Sequence, residues 1–318
     1  MTLNEKKGKY IANRVGLKNG VIVNSGTIAI LSALKILNIK PGDYVLINGY
    51  CCYSLFEAIE TIGAIPLLYV PKDFYSISFE EIKEVLNKYD VKCYIAAHQY
   101  GIVQDIKKVK ETYPDLKIIE DIAQGWNIVN SKEEIGKYSD LVVSSFGKTK
   151  PLSYGQAGIV MSNNDLHDFF DFHDRESRSS NKPMLPFALY ECENINEKEL
   201  VENANEIVNH QREVAKYLLN CFKDNPNLIV HKDKRGNKSC FQRFPIIIKN
   251  LDYVKELEEI LKENNILYQW QNELEVWELN MVKNSNAEII QNVEKPKYVL
   301  VRTRQNDIED VKKLVKKL

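Results

Sequence analysis

Between Val21 and about Met161 the chain alternates short apolar runs with longer stretches whose apolar residues recur every three or four positions. The runs Tyr44–Asn48, Ala64–Val70, Lys92–Ala97 and Leu116–Asp121 have strand length and are bounded by polar or turn residues. The pattern between them, such as Phe79, Ile82, Val85 and Leu86, puts apolar side chains on one helical face. Two more runs, Leu141–Phe146 and Ala157–Met161, read as buried strands joined by a polar turn that carries Lys148 and Lys150. Alternating β and α units predict an α/β fold, with a mostly parallel central sheet flanked by helices.

The pattern changes in the last third. Asn196–Leu219 is charged and amphipathic, a long helix. Leu228–His231, Phe241–Lys249 and Tyr298–Thr303 read as strands and Tyr253–Glu263 as a helix. The C-terminal helix has Val311, Leu314, Val315 and Leu318 on one face. We therefore divide the chain into a large domain, 1–205, and a small α+β C-terminal domain, 206–318.

Composition narrows the classes. The chain has 318 residues, 44% of them hydrophobic, and a formal charge of -1, which fits a soluble globular protein and gives no basic surface for nucleic acid. No apolar run approaches membrane-spanning length, and the N-terminal residues lack the apolar core of a signal peptide. The six cysteines form no Cys-x-x-Cys pair and have no histidine at ligand spacing. They read as the reduced thiols of a cytoplasmic protein, with no metal site.

In parallel sheets ligands bind beyond the carboxyl ends of the strands, so the candidates are the polar residues after each apolar run. Asn24-Ser-Gly-Thr27 precedes a helical run, Ile28–Leu37. Ser25 and Thr27 either simply cap that helix or, with Gly26 admitting close approach, join its free N–H groups in holding a phosphate. Glu120 and Asp121 are adjacent carboxylates at a strand end, pointing opposite ways. Asp121 either caps the next helix or meets a cationic partner such as a protonated pyridine nitrogen. His98 follows another strand and fits a structural role as well as a catalytic one. The lysines of the polar turn either face water or supply an amine for a Schiff base, for which pyridoxal 5'-phosphate (PLP) is the commonest protein-bound aldehyde.

Together these segments resemble the DegT/DnrJ/EryC1/StrS family of PLP-dependent sugar aminotransferases, of the fold-type-I (aspartate aminotransferase) superfamily. The matching pieces come in the family's order: Ser25-Gly-Thr27, Lys40-Pro-Gly-Asp43, Gly63-Ala64 with Pro66, and His98-Gln-Tyr-Gly101. Glu120-Asp-Ile-Ala-Gln124, Ser145-Phe-Gly-Lys-Thr-Lys150 and Gly155-Gln-Ala-Gly158 follow. The resemblance implies that Lys150 is the Schiff-base lysine and proton shuttle, and that Asp121 pairs with the pyridinium nitrogen. It further implies that Gln124 lies near the cofactor's phenolic oxygen and that Gly26, Thr27 and Ser145 contact its phosphate. The implied reaction converts a keto group, on a nucleotide-linked sugar, to an amine with glutamate or glutamine as donor, in a homodimer.

Departures cluster on the substrate side. Cys52 falls where the family stacks an aromatic ring on the cofactor, so Tyr50 or Tyr53 substitutes through a shifted turn; Tyr53 is taken as the contact. Ala157 stands in the family's glycine-rich Gly-Glu-Gly-Gly segment, and the N-terminal arm is shorter than the family's. The segment Arg178–Asn196 has no clear counterpart of the family's Asn-x-Arg. Arg302 and Arg304, placed by alternation on one face of a strand, either bind a substrate carboxylate or lie solvated at an edge. These departures keep open a PLP-dependent lyase or dehydratase, an amino-acid transaminase, and a non-catalytic PLP-binding regulatory protein.

Overall fold

The computed structural model describes residues 1–73, 75–130, 133–171, 192–234, 236–271, 274–291 and 293–317. Its N-terminal helix α1 (Leu3–Asn13) starts from a capping box in which the Thr2 hydroxyl accepts from the Glu5 N–H while the Glu5 carboxylate accepts from the Thr2 N–H. The sequence reading had not anticipated this helix. The first strand, β1 (Asn19–Val23), is followed by α2 (Gly26–Ile36), β2 (Tyr44–Asn48), α3 (Tyr53–Thr61), β3 (Ile65–Val70) and α4 (Phe79–Leu86). Next come β4 (Val91–Ala97), α5 (Lys107–Thr112), β5 (Lys117–Asp121) and a minimal hairpin of β6 (Val129–Asn130) with β7 (Glu133–Glu134). Then follow β8 (Leu141–Ser145) and β9 (Gly158–Ser162).

These strands form an eight-stranded sheet in the order β1-β9-β8-β5-β4-β2-β3-β13, where β13 (Glu288–Gln291) arrives from the last third of the chain. All neighbours from β8 to β13 run parallel, and only β9 is antiparallel to both β1 and β8. The sheet is thus mostly parallel and helix-covered, as the alternating pattern predicts. Its central strands are buried on both faces, so they read as unbroken apolar runs instead of alternating ones.

A second sheet orders its strands β10-β11-β14-β12, from β10 (Leu228–Val230), β11 (Phe244–Ile248), β12 (Tyr268–Trp270) and β14 (Lys297–Val301), all antiparallel. The helix 197–222 bridges the two cores. Leu200, Val201, Ala204 and Val208 pack with α1 and Trp126, whereas Val214, Ala215, Leu218 and Phe222 pack under the small sheet. The division expected at 205/206 therefore falls within one continuous helix. The strand expected to run to Thr303 ends at Val301, so Arg302 and Arg304 lie in the turn that follows and do not share a strand face. No described helix is long and apolar enough to cross a membrane.

Candidate active site

The polar ends of β5, β4 and β8 and the start of α2 enclose a cavity of about 250 Å³. At its floor Ser25 caps α2, its hydroxyl accepting from the Ile28 N–H at 3.1 Å. Ser25, Gly26 and Thr27 line the cavity together with Ser145 from the end of β8. Gly26 is required by packing: a Cβ there would stand 2.8 Å from the Ser145 Cβ. The same crowding fixes Gly158, whose Cβ would meet the Ser25 carbonyl oxygen at 2.4 Å. The hydroxyls and the free N–H groups of an 11-residue helix start meet there, a cup suited to a phosphate.

Both carboxylates at the end of β5 are buried, and alternation sends them to different neighbourhoods. Glu120 accepts from the Gly136 N–H at 2.7 Å and the Ser139 hydroxyl at 2.8 Å, and lies 3.3 Å from His98 Nε2. His98 Nδ1 accepts from the Gln104 N–H at 2.9 Å, which leaves the ring proton on Nε2, facing Glu120. His98 thereby acquires a structural bond on each nitrogen while its ring still lines the cavity. Asp121 instead faces the cavity, accepting from the Ala123 N–H at 2.8 Å. Burial pushes its carboxyl above the ordinary aspartate value, opposed by that N–H, the charge of Lys150 and His98. A carboxylate held at such cost suits a cationic ligand group.

Lys150 lines the cavity and is half-buried; Lys148, two residues earlier, is exposed. Main-chain bonds shape the turn that carries them, with the Tyr154 and Gly155 N–H groups both donating to the Phe146 carbonyl. The second lobe pins it: Gln242 Nε2 donates to the Thr149 carbonyl at 3.1 Å, and Arg304 Nη1 to the carbonyls of Lys148 and Lys150 at 3.2 and 3.3 Å. Gln124 is fixed as well, accepting from the Tyr100 N–H at 3.0 Å and donating to Gln99 Oε1 at 3.2 Å.

Lys150, Asp121, Gln124, Ser145, Gly26 and Thr27 thus line one cavity, but Tyr53 is not among its lining residues. Cys52 is the extended residue ahead of α3 and takes the wall position, whereas the Tyr53 ring packs on Phe56 at 5.4 Å. Tyr50 is buried edge-on against Trp277, with ring centroids 4.5 Å apart. Residues 178–191, where the Asn-x-Arg counterpart was sought, lie outside the described residues. A phosphate cup, a buried carboxylate and an amine in one cavity form a donor set that fits PLP.

The sequence reading passed over two contributors. Gln99 lines the cavity and donates to the Tyr50 carbonyl at 2.7 Å. Arg243 lines an adjoining cavity of about 230 Å³ that shares Cys52, Gln99, Gln124 and Lys150 with the first. An arginine inside the apolar run Phe241–Ile248 was the available signal.

A model of the DegT/DnrJ/EryC1/StrS aminotransferase family matches residues 5–178, more than half of the 318-residue chain. GDP-perosamine synthase of Vibrio cholerae is 28% identical over 170 residues, 50% of this chain and 46% of that enzyme. UDP-N-acetyl-3-dehydro-alpha-D-glucosamine 3-aminotransferase of Acidithiobacillus ferrooxidans is 30% identical over 156 residues, 48% of this chain and 42% of that enzyme. The chain spans about half the length of these curated relatives. A crystal structure of a GDP-4-keto-6-deoxymannose-3-dehydratase variant with bound GDP-perosamine matches with a TM-score of 0.81 at 16% identity, covering 98% of this chain and 91% of that one. That likeness carries the fold through the second lobe, beyond the reach of the family model. On these matches the chain belongs to the DegT/DnrJ/EryC1/StrS aminotransferase family.

Proposed function

We propose that the protein is a PLP-dependent aminotransferase that converts a keto group of a nucleotide-linked sugar to an amine, with glutamate or glutamine as donor. The observation that carries this reading is the convergence of Lys150, Asp121 and the α2 cup on one cavity. When bound, PLP supplies the electron sink that lets a proton leave the carbon bearing the nitrogen. Thr27, Ser145 and the N–H groups at the start of α2 hold its phosphate, and Asp121 holds its ring nitrogen. Gln124, its amide locked by Tyr100 and Gln99, meets the phenolic oxygen. Lys150 is the one lysine among the described lining residues, and its Nζ takes the departing proton and returns it to the carbon on the far side of that nitrogen. The bonds from Gln242 and Arg304 to its turn keep that amine in place.

Relatives support the substrate class, since the matched enzymes are named for making amino sugars on GDP or UDP carriers. We assign the protein to the cytoplasm, as a homodimer, on the reduced thiols and on the family's habit of completing the site from a second subunit.

The test is the visible absorbance of the protein with PLP, before and after L-glutamate or L-glutamine, alongside Lys150→Ala and Lys148→Ala. Wild type and Lys148→Ala gain the band of lysine-bound PLP and lose it on adding a donor, while Lys150→Ala never gains it. A band that no amine alters defeats the transaminase reading, and no band at all defeats PLP binding.

A further inference from the structure

Arg243 immediately precedes β11, in the wall of the cavity that adjoins Lys150. Its backbone is fixed by a 3.2 Å bond from its N–H to the Tyr100 carbonyl. Among the described residues its guanidinium makes one hydrogen bond, from Nη1 to the Gln242 carbonyl at 3.2 Å, and belongs to no ion pair. The charges acting on it make its position costlier still. Burial and the neighbouring Arg302 both push it below the ordinary arginine value, and only the Tyr100 phenol pulls the other way. Glu275, a buried acid of the same region, is engaged by the Tyr298 hydroxyl at 2.6 Å. The described lining residues of this cavity include two cations, Lys150 and Arg243, and no carboxylate.

A guanidinium presents donors in a planar fork that matches an oxyanion, and partial desolvation strengthens that contact. The sequence left such a task open for Arg302 and Arg304, beside a solvated edge position. Arg304 is instead taken up by the lysine turn, and Arg302 is exposed beyond the strand end.

We propose that Arg243 is a specificity-determining residue that grips an anionic group, a carboxylate or a phosphate, of the substrate whose reacting atom faces Lys150. This rests on the proposed function for the identity of the substrates and on the cavity for the site itself. A carboxylate would belong to the amino donor, a phosphate to the sugar substrate. The second cavity is the substrate's approach, since it borders Lys150 and shares Gln99 and Gln124 with the first.

Calorimetry on PLP-loaded protein tests the site without turnover, with glutarate and inorganic phosphate as probes. Wild type binds one of them saturably, Arg243→Gln weakens that binding by about ten- to a hundredfold, as expected for charge-assisted bonds, and Arg243→Lys falls between. Preference for glutarate assigns the donor carboxylate, and preference for phosphate the sugar side. Equal binding by wild type and Arg243→Gln overturns the proposal, as does a wild type that takes up neither probe. The visible band, read on the same samples, keeps the two ideas apart. A band bleached by L-glutamate at the same half-saturating concentration in both proteins, together with unchanged phosphate binding, leaves the transaminase reading standing and removes Arg243. A missing band removes the transaminase reading, and the glutarate isotherm still decides Arg243.

Discussion

Asp121 shows at the scale of one residue how function opposes stability. Its carboxyl is raised above its ordinary value of 3.8 because burial outweighs the Ala123 N–H and the charges of Lys150 and His98. The folded state then binds the Asp121 proton more tightly than the unfolded chain does. Stability is complete below the unfolded value and is lost as pH rises from 3.8 toward the raised folded value. Asp121→Asn keeps the acceptor for the Ala123 N–H and has no proton to lose. In PLP-free protein it should melt above wild type at neutral pH, and the gap should close on acidification through that window. The stabilisation gained on adding PLP should be smaller in Asp121→Asn, because the ring nitrogen no longer relieves a buried charge. A variant that melts below wild type at neutral pH without PLP shows that the attraction to Lys150 outweighs burial.

Residue chemistry was legible where a strand end forced it. Asp121, Thr27 and the lysine turn stand beside recognisable apolar runs, whereas Gln124, Ser145 and the preference for Lys150 over Lys148 came from the family resemblance, and the cavity collects all of them. Tyr53 was not legible, because a shift of one residue at the start of α3 exchanges a wall position for a packing position. Nor did spacing reveal that Arg304 braces the lysine turn, a contact between residues more than 150 apart in sequence.

Elements are held to one another by close backbone approaches, and α1 against β1 is the tightest case. A Cβ on Gly8 would lie 2.3 Å from the Gly20 carbonyl oxygen, and one on Gly20 would lie 2.5 Å from the Gly8 oxygen. Neither obstacle is a side chain that can turn away. Gly8→Ala should therefore destabilise the protein in urea by about 1–3 kcal/mol net of relaxation, the usual cost of overpacking. Alanine's better helix propensity, worth about 1 kcal/mol, offsets only part of the clash. Equal or greater stability would mean that α1 moves off β1 without loss. A reading based on apolar periodicity had little to find in α1, whose first turns are mostly charged and whose buried face includes Asn4 and Gly8 beside Ile11 and Ala12. Strand β13 was equally hidden: Glu288–Gln291 is four residues long and only partly buried, so nothing in its pattern announces a place beside β3.

Across the whole molecule, the two lobes are joined by more than a linker, which the sequence-level division could not convey. The helix 197–222 contributes apolar residues to both cores, and β13 extends the large sheet from within the C-terminal third. Arg212, on that helix, donates to the Ser239 carbonyl at 3.0 Å and to the Asn127 carbonyl at 2.5 Å. The Cys240 N–H donates to the Gly101 carbonyl, and the Val103 N–H to the Ser239 hydroxyl at 3.0 Å. Opening one lobe alone would break the shared helix, expose the edge of β3 and strip these bonds between the lobes, so partial unfolding gains little entropy for its cost. The lobes should unfold as one cooperative unit, although chains with two cores often do not. Native-state hydrogen exchange resolves this: the slowest amides of β5 in the large sheet and of β11 in the small one should report opening free energies within about 1 kcal/mol of each other. A markedly lower value for β11 would mean that the small lobe opens alone. Gln242 and Arg304 would then release the lysine turn in every such opening, and the position of Lys150 would depend on the state of the second lobe.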